Sequence, residues 1–303
     1  MKVFVTGATG YIGGSVATRL LEAGHAVIGL ARSAEAAAAL TARGIEPLAG
    51  DINAYTPFVE AARRADAVIN AANSDNPFVV HALLDGLKGS GKRLIQTSGS
   101  SVVGAYDNGE PSERVLDEDT PFTPQPEKAM RVAIDQSVLA AARDGVHAIV
   151  IRPTLIYGRG IGVAATSIQL PKLIDVARKR GVPGHVGRGL NIWSNVHIAD
   201  VVDLYLLALD RAPAGSLFYA ENGEASFKAV AEAIGRMLGL GERTDPWSIG
   251  EAVEALGPGA YLSFGSNCRV RGKRARELGW KPKADRLIDE IENGVYVQVY
   301  GKR

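Results

Sequence analysis

Cysteine is nearly absent from this chain. The single thiol, Cys268, excludes an intrachain disulfide and a thiolate metal cluster, and suits a reducing compartment. Cys268 itself reads as a packing or surface thiol. An excess of one charge is also missing. With a net charge of +1 nothing draws the chain to nucleic acid or an anionic membrane, so any partner has to be recognised locally. No stretch approaches the roughly 18 continuous apolar residues of a membrane span. Strand-like "KVFVT" begins at residue 2, which leaves no room for a signal peptide, and a cytoplasmic protein is expected. The chain has no glycine loop followed by lysine, no His-x-x-x-His pair and no serine elbow. Kinase, zinc and hydrolase chemistry are therefore not indicated, and no metal site is expected.

What is present is rhythm. A chain of 303 residues suggests one large domain with a smaller partner. Its first half alternates short β-branched apolar runs with longer helical patterns, which predicts a parallel sheet. Strands are expected at 2–6, 26–31, 45–49, 67–71, 93–98 and 147–152, and helices at 11–23, 34–42, 56–64, 77–90 and 126–143. Right-handed crossovers turn these units into an α/β doubly wound sheet, a Rossmann fold, with ligands at the carboxyl ends of the strands. After Pro153 the rhythm breaks into glycine-rich loops and short helices. The expected division is a dinucleotide-binding domain at 1–155, to which 190–223 returns, and a smaller substrate-side domain from 156–189 and 224–303.

"VTGATGYIGGSVATRLLEAG" places Gly7, Gly10 and Gly13 in G-x-x-G-x-x-G spacing, directly after the first strand and before an amphipathic helix. A tight turn, close backbone approach to a pyrophosphate and helix-on-strand packing each require a residue without Cβ, and the helix N-terminus offers free N–H groups to the phosphates. This context indicates a dinucleotide site. At the end of the second strand, where an acid would hold the 2′-hydroxyl of NAD, stand Arg32 and Ser33. A guanidinium there suits the 2′-phosphate, so NADP is expected and NAD remains possible. The alternative for Arg32 is a solvated loop residue. Asp51 is placed to accept from the adenine amino group or to cap the next helix.

In order, "TGATGYIG", "GDI", "NAA" at 70–72, "TSGSSVVG" at 97–104, "IRPTLIYGRG" and "WSNVHIADVVDLYLLAL" resemble the extended and atypical short-chain dehydrogenases/reductases. That group contains the NAD-dependent epimerase/dehydratases. The resemblance spans nearly the whole chain and implies further cofactor contacts at Thr9, Tyr11, Ile12, Ile52, Ala71, Ala72, Thr97 and Pro153. It implies hydride transfer at a nicotinamide, a hydroxyl at the end of the fifth strand that holds the substrate oxygen, and a Tyr-x-x-x-Lys pair on the next helix. Ser98 is the first choice for the hydroxyl, ahead of Ser100, because Gly99 falls near the family's usual site.

The helix departs from the pattern. The family's acid four residues after the lysine matches Asp135, which puts Arg131 at the lysine position and Glu127 at the tyrosine position. Sliding the frame to use Lys128 puts Pro124 where tyrosine belongs. A carboxylate beside arginine stays ionised and suits a base better than a proton donor. The plainer reading of Glu127 and Arg131 is an exposed i, i+4 pair contributing about 0.2–0.5 kcal/mol. Tyr106 and Tyr157 follow the fifth and sixth strands and are candidates to replace the phenol, or to line the cleft. His197 reads as structural. "CRVRGKRARELGWKPKADR" suits either an anionic substrate or a solvated helix face.

The expected activity is an NADP-dependent oxidoreductase acting on a small carbonyl or alcohol. The alternatives are a non-catalytic sensor, and a sugar-nucleotide epimerase or dehydratase in which Glu127 is the base. A small-molecule substrate is the expected partner. The resemblance also implies a possible homodimer.

Overall fold

The computed structural model describes residues 1–301. Strands β1 (Lys2–Thr6), β2 (Ala26–Ala31), β3 (Glu46–Ala49), β4 (Ala67–Asn70), β5 (Arg93–Thr97) and β6 (His147–Pro153) alternate with helices α1 (Tyr11–Glu22), α2 (Ala34–Thr41), α3 (Tyr55–Arg64), α4 (Pro77–Leu87) and α5 (Pro126–Ala140). Each expected element appears, with ends moved by at most a few residues. Local chemistry sets several of those ends. The Ser33 hydroxyl accepts from the Ala36 amide at the start of α2, and Asn76 caps α4 ahead of a proline in its first turn.

Beyond β6 come β7 (Leu155–Tyr157), α6 (Gln169–Arg180), β8 (Gly184–Val186), β9 (Ile192–His197), α7 (Ile198–Arg211), β10 (Ser216–Ala220), β11 (Glu224–Ser226), α8 (Phe227–Leu238), β12 (Asp245–Trp247), α9 (Ile249–Leu256), α10 (Ala260–Ser263) and α11 (Lys273–Glu277). The central sheet has seven strands in the order β10-β6-β5-β4-β1-β2-β3, and every pairing in it is parallel. The order reverses between β1 and β4, which opens the crevice where such sheets bind ligands. β9 pairs instead with β7 and β11 in a small second sheet.

Both faces of the central sheet are covered, so its strands read as near-continuous apolar runs. Phe4 packs with Phe58 and Leu83 on one face, while Val3 and Val5 pack with Val16 and Leu20 on the other. Each such burial contributes about 1.5–3 kcal/mol. A polar row crosses the carboxyl end of this apolar sheet. Thr6 donates to Asn70, and the Asn70 amide donates to Gln96 Oε1 at 2.7 Å, one residue from each of β1, β4 and β5 in register. Fully buried amides need partners, and here each strand supplies the next. The row ties together the strand ends beneath the crevice. Among the described residues no helix is long and apolar enough to cross a membrane.

A candidate dinucleotide and substrate site

Two cavities meet over the carboxyl ends of β1 and β4. The larger, about 650 Å³, is lined among others by Gly7, Thr9, Gly10, Arg32, Ser33, Ile52, Ala71 and Ala72. These eight are sequence-derived cofactor positions, and the fold gathers them at one opening. The second cavity, about 290 Å³, shares Ala71 and is lined by Tyr11, Ile12, Thr154, Ile156, Ser167, Ile168 and Gln169. None of its lining side chains is charged.

The glycine turn fits a pyrophosphate. Gly7 has φ +68°, and a Cβ on it would lie 2.5 Å from the Ala71 carbonyl oxygen. A Cβ on Gly13 would lie 2.3 Å from the Gly7 carbonyl oxygen. Neither position tolerates a side chain, so the backbone runs bare along the cavity. Gly10 caps α1 with no side-chain hydrogen bond, and the first turn has no acid. The helix therefore presents its N–H groups and positive dipole end to an incoming anion.

Helix α5 shows where its unusual residues go. Glu127 and Arg131 do not pair with each other. The Glu127 carboxylate accepts from Tyr106 at 2.7 Å and from Tyr261 at 3.1 Å, and the two phenol rings sit 5.7 Å apart. Those bonds, led by Tyr106, hold Glu127 below its ordinary carboxyl range, while Glu127 pushes the Tyr106 phenol up to about 12. Arg131 grips Asp75 in a two-point ion pair with N···O distances of 2.8 and 2.5 Å. Tyr261 and Asp75 were not singled out in the sequence. Tyr261 lies 134 residues from its partner on a short C-terminal helix, and no local pattern announces it.

Several expectations need correction. The Ser98 hydroxyl, expected to hold the substrate oxygen, donates to the buried Asp135 carboxylate at 2.8 Å. Thr97 points its hydroxyl to the Tyr205 phenol, 2.6 Å away in the core under α7, and does not reach the cofactor cavity with that group. Tyr157 is fully buried and donates to the Asp285 carbonyl at 2.7 Å, so it cannot stand in for the missing phenol. Pro153 ends β6 as a buried residue, and its neighbour Thr154 reaches the second cavity instead. Asp51 caps no helix. Its carboxylate accepts from the Asn53 amide in a tight turn, and α3 starts beyond it at an Ala54 cap. His197 is structural as expected, with its ring accepting from the Ala199 amide at the start of α7.

The basic stretch is not a continuous solvated helix face. Only Lys273–Glu277 is helical there, and five cations of the stretch as a whole are paired with carboxylates. Arg269 and Arg271 share Glu224, Lys273 and Arg274 share Asp119, and Arg276 holds Glu221. Cys268 is buried against Ser100, and burial pushes its thiol up to about 12, which keeps it inert.

The sequence profile of the NAD-dependent epimerase/dehydratase family matches residues 3–218. The chain belongs to that family. Among similar members is oxidase ucsJ of Acremonium sp, 32% identical, with 96% of this chain and 95% of the relative covered. Another is the 4-hydroxy-2-methyl-3-oxo-4-farnesyl-3,4-dihydroquinoline-1-oxide ketoreductase of Stigmatella aurantiaca, 30% identical over 74% of this chain and 69% of the relative. In fold the chain is similar to MoeE5, solved with UDP-glucose and NAD, with a TM-score of 0.77, 19% identity and 99% of each chain covered. The relatives include a ketoreductase and a UDP-glucose 4-epimerase, and the solved structures that share this parallel seven-stranded fold include two in complex with NAD.

Proposed function

We propose that this protein is an NADP-preferring reductase of a small, uncharged carbonyl compound, or the dehydrogenase of the matching alcohol. The observation that carries the reading is the pair of joined cavities. Arg32 lines the end that would hold the adenosine ribose, and no charged side chain lines the other. A bound nicotinamide supplies or accepts the hydride, and the protein supplies orientation and the proton. A sugar-nucleotide substrate would bring a diphosphate that needs free cations. The basic stretch from Arg269 to Arg276 has each of its five cations engaged by Glu224, Asp119 or Glu221, which leaves none of them unpaired for a diphosphate. The ketoreductase relative points the same way.

Tyr106 is the proton donor in this reading. In the frame set by Asp135, Glu127 takes the helix position that the family gives to tyrosine and holds a half-exposed phenol that stays protonated across the neutral range; to act, that phenol turns its O–H from Glu127 to the substrate oxygen. Ser101 is left near the Arg131 guanidinium, at 3.4 Å, as the free hydroxyl of the β5 loop once Ser98 is committed to Asp135.

Titrating the protein with NADPH and NADH by fluorescence tests the cofactor. Arg32→Ala is expected to weaken NADPH by about tenfold or more, the effect of one charge-assisted contact, and to leave NADH within about twofold. Equal affinities in the parent protein would remove the NADP preference. Binding of neither would remove the dinucleotide reading and both of its branches, reductase and sensor.

Consumption of NADPH with a 1,2-diketone probe tests the chemistry. Tyr106→Phe is expected to lower the rate by about 10²- to 10⁴-fold, the usual contribution of a positioned acid. The parent's alkaline limb follows the phenol at about 12. A donor is lost as pH rises through its pKa, so Glu127→Gln, which removes the carboxylate holding that value up, is expected to bring the limb down toward about 10. An unchanged rate in Tyr106→Phe would assign the proton elsewhere. Absence of turnover alongside tight cofactor binding would favour the sensor, the reading suggested by the missing helix tyrosine.

A further inference from the structure

We propose that Asp75 is a positioning residue for the nicotinamide half of the cofactor. Paired with Arg131, it forms a combined acceptor and donor for a ribose diol. The inference rests on the dinucleotide reading above and adds a residue that neither the glycine turn nor the helix pattern points to.

Asp75 sits in the loop between β4 and α4, and its neighbours Asn73 and Asn76 both line the larger cavity. The loop is fixed on either side. The Asp75 amide donates to Asn73 Oδ1 at 3.0 Å, and Asn76 accepts from the Phe78 and Val79 amides. Asn76 also reaches across to Asn53, beyond Ile52 on the cavity's other rim, at 3.4 Å. The carboxylate is left facing α5, where Arg131 takes it with two N–H groups. The same guanidinium lies 3.3 Å from where a Cβ on Gly99 would stand, just past the end of β5. Asp75 and Arg131 therefore bridge from the rim of the cofactor cavity to the helix that should border the nicotinamide.

The chemistry of the pair fits that place. A lysine offers only donors, whereas each hydroxyl of a ribose diol both donates and accepts. A carboxylate has about four lone-pair sites and a guanidinium five N–H groups. The two-point pairing uses two of each, so acceptors and donors remain side by side. The pair is also neutral, so an arginine at this position does not set a net positive charge beside an oxidised nicotinamide. Asp75 is half-exposed while Arg131 is largely covered, so the carboxylate is the side of the pair open to a ligand. Its arginine contact keeps the Asp75 carboxyl below the ordinary range, so the carboxylate stays ionised at neutral pH.

Calorimetric titration of the full chain separates the two halves of the ligand. The probes are NADPH with adenosine 2′,5′-bisphosphate, and NADH with ADP. Asp75→Ala is expected to weaken the dinucleotide by about tenfold or more and the matching adenine-half probe by no more than about twofold. Arg131→Lys, which keeps the cation but loses the two-point grip, is expected to give the same split. It also serves if Asp75→Ala fails to fold. Asp75→Glu is expected to recover most of the affinity. Parallel weakening of both probes would assign Asp75 a structural role and overturn the proposal, as would no change in either. A parent protein that binds no probe fails the dinucleotide reading itself. A parent that binds only the adenine halves keeps that site and overturns the role of Asp75.

Discussion

Gly13→Ala is expected to abolish measurable binding of NADPH and NADH, a loss of at least about 100-fold, or about 2.7 kcal/mol. The added methyl would stand 2.3 Å from the Gly7 carbonyl oxygen, 2.7 Å from its carbon and 3.1 Å from the Ala71 Cβ. Two of those atoms are backbone and cannot swing aside, so the turn itself has to move. The phosphate-facing amides and the start of α1 move with it. Gly50→Ala is the control. It lies close in sequence to the same cavity, its nearest contact would be Leu30 Cδ1 at 3.6 Å, and its effect on affinity is expected to stay within about twofold. Circular dichroism checks that both variants keep the parent's secondary structure. Wild-type affinity in Gly13→Ala would mean that this turn does not hold the cofactor.

The second large effect is on stability. Asp135→Ala is expected to cost about 3–5 kcal/mol, seen as a fall in Tm on the order of 10 °C. Asp135 is fully buried on α5 and accepts from Arg152 Nε on β6 at 2.8 Å. Arg152 is itself buried, stacked between the rings of Phe122 and Tyr219 at 5.7 and 5.6 Å, and donates to the Tyr219 hydroxyl at 3.1 Å. Removing the carboxylate leaves a guanidinium inside the protein with no counter-charge. Burial raises the Asp135 carboxyl above its ordinary range in spite of Arg152 and Ser98. Desolvation thus outweighs attraction, so the pair as a whole adds little, while half of it is costly. Asp135→Ala with Arg152→Met is therefore expected to recover much of the lost Tm. A single variant that melts within a degree or two of the parent would contradict this account.

The fold was legible because its signals are local and repeated. β-branched runs such as "AVIGLA" and the glycine turn after β1 each specify an element from within a dozen residues. Those signals, together with the family resemblance, also picked out eight residues that line the larger cavity. The errors share a cause. Ser98 and Tyr157 were judged by their nearness in sequence to strand ends and Thr97 by the family resemblance, yet a strand end fixes where the backbone stops and not which neighbour takes the side chain. Each hydroxyl went to a partner far along the chain, at Asp135, Tyr205 and Asp285. Glu127 and Arg131 were read as partners because four-residue spacing on a helix is a local rule. Tyr106, Tyr261 and Asp75 outbid that rule from other parts of the fold. The basic stretch looked like a free patch because its carboxylates lie up to 155 residues away.

The order of the parts along the chain sets an order of assembly. The residues lining the dinucleotide cavity all precede Pro77, whereas the second phenol on Glu127 comes from Tyr261 and the strand bridge to Trp193 from Cys268. At a translation rate of about 5–20 residues per second, these stretches leave the ribosome on the order of ten seconds or more apart. The residues that line the larger cavity are thus synthesised well before those of the substrate side. Any ligand of that cavity would favour, by mass action, whichever state of the growing chain presents it, ahead of the parts that complete the substrate side.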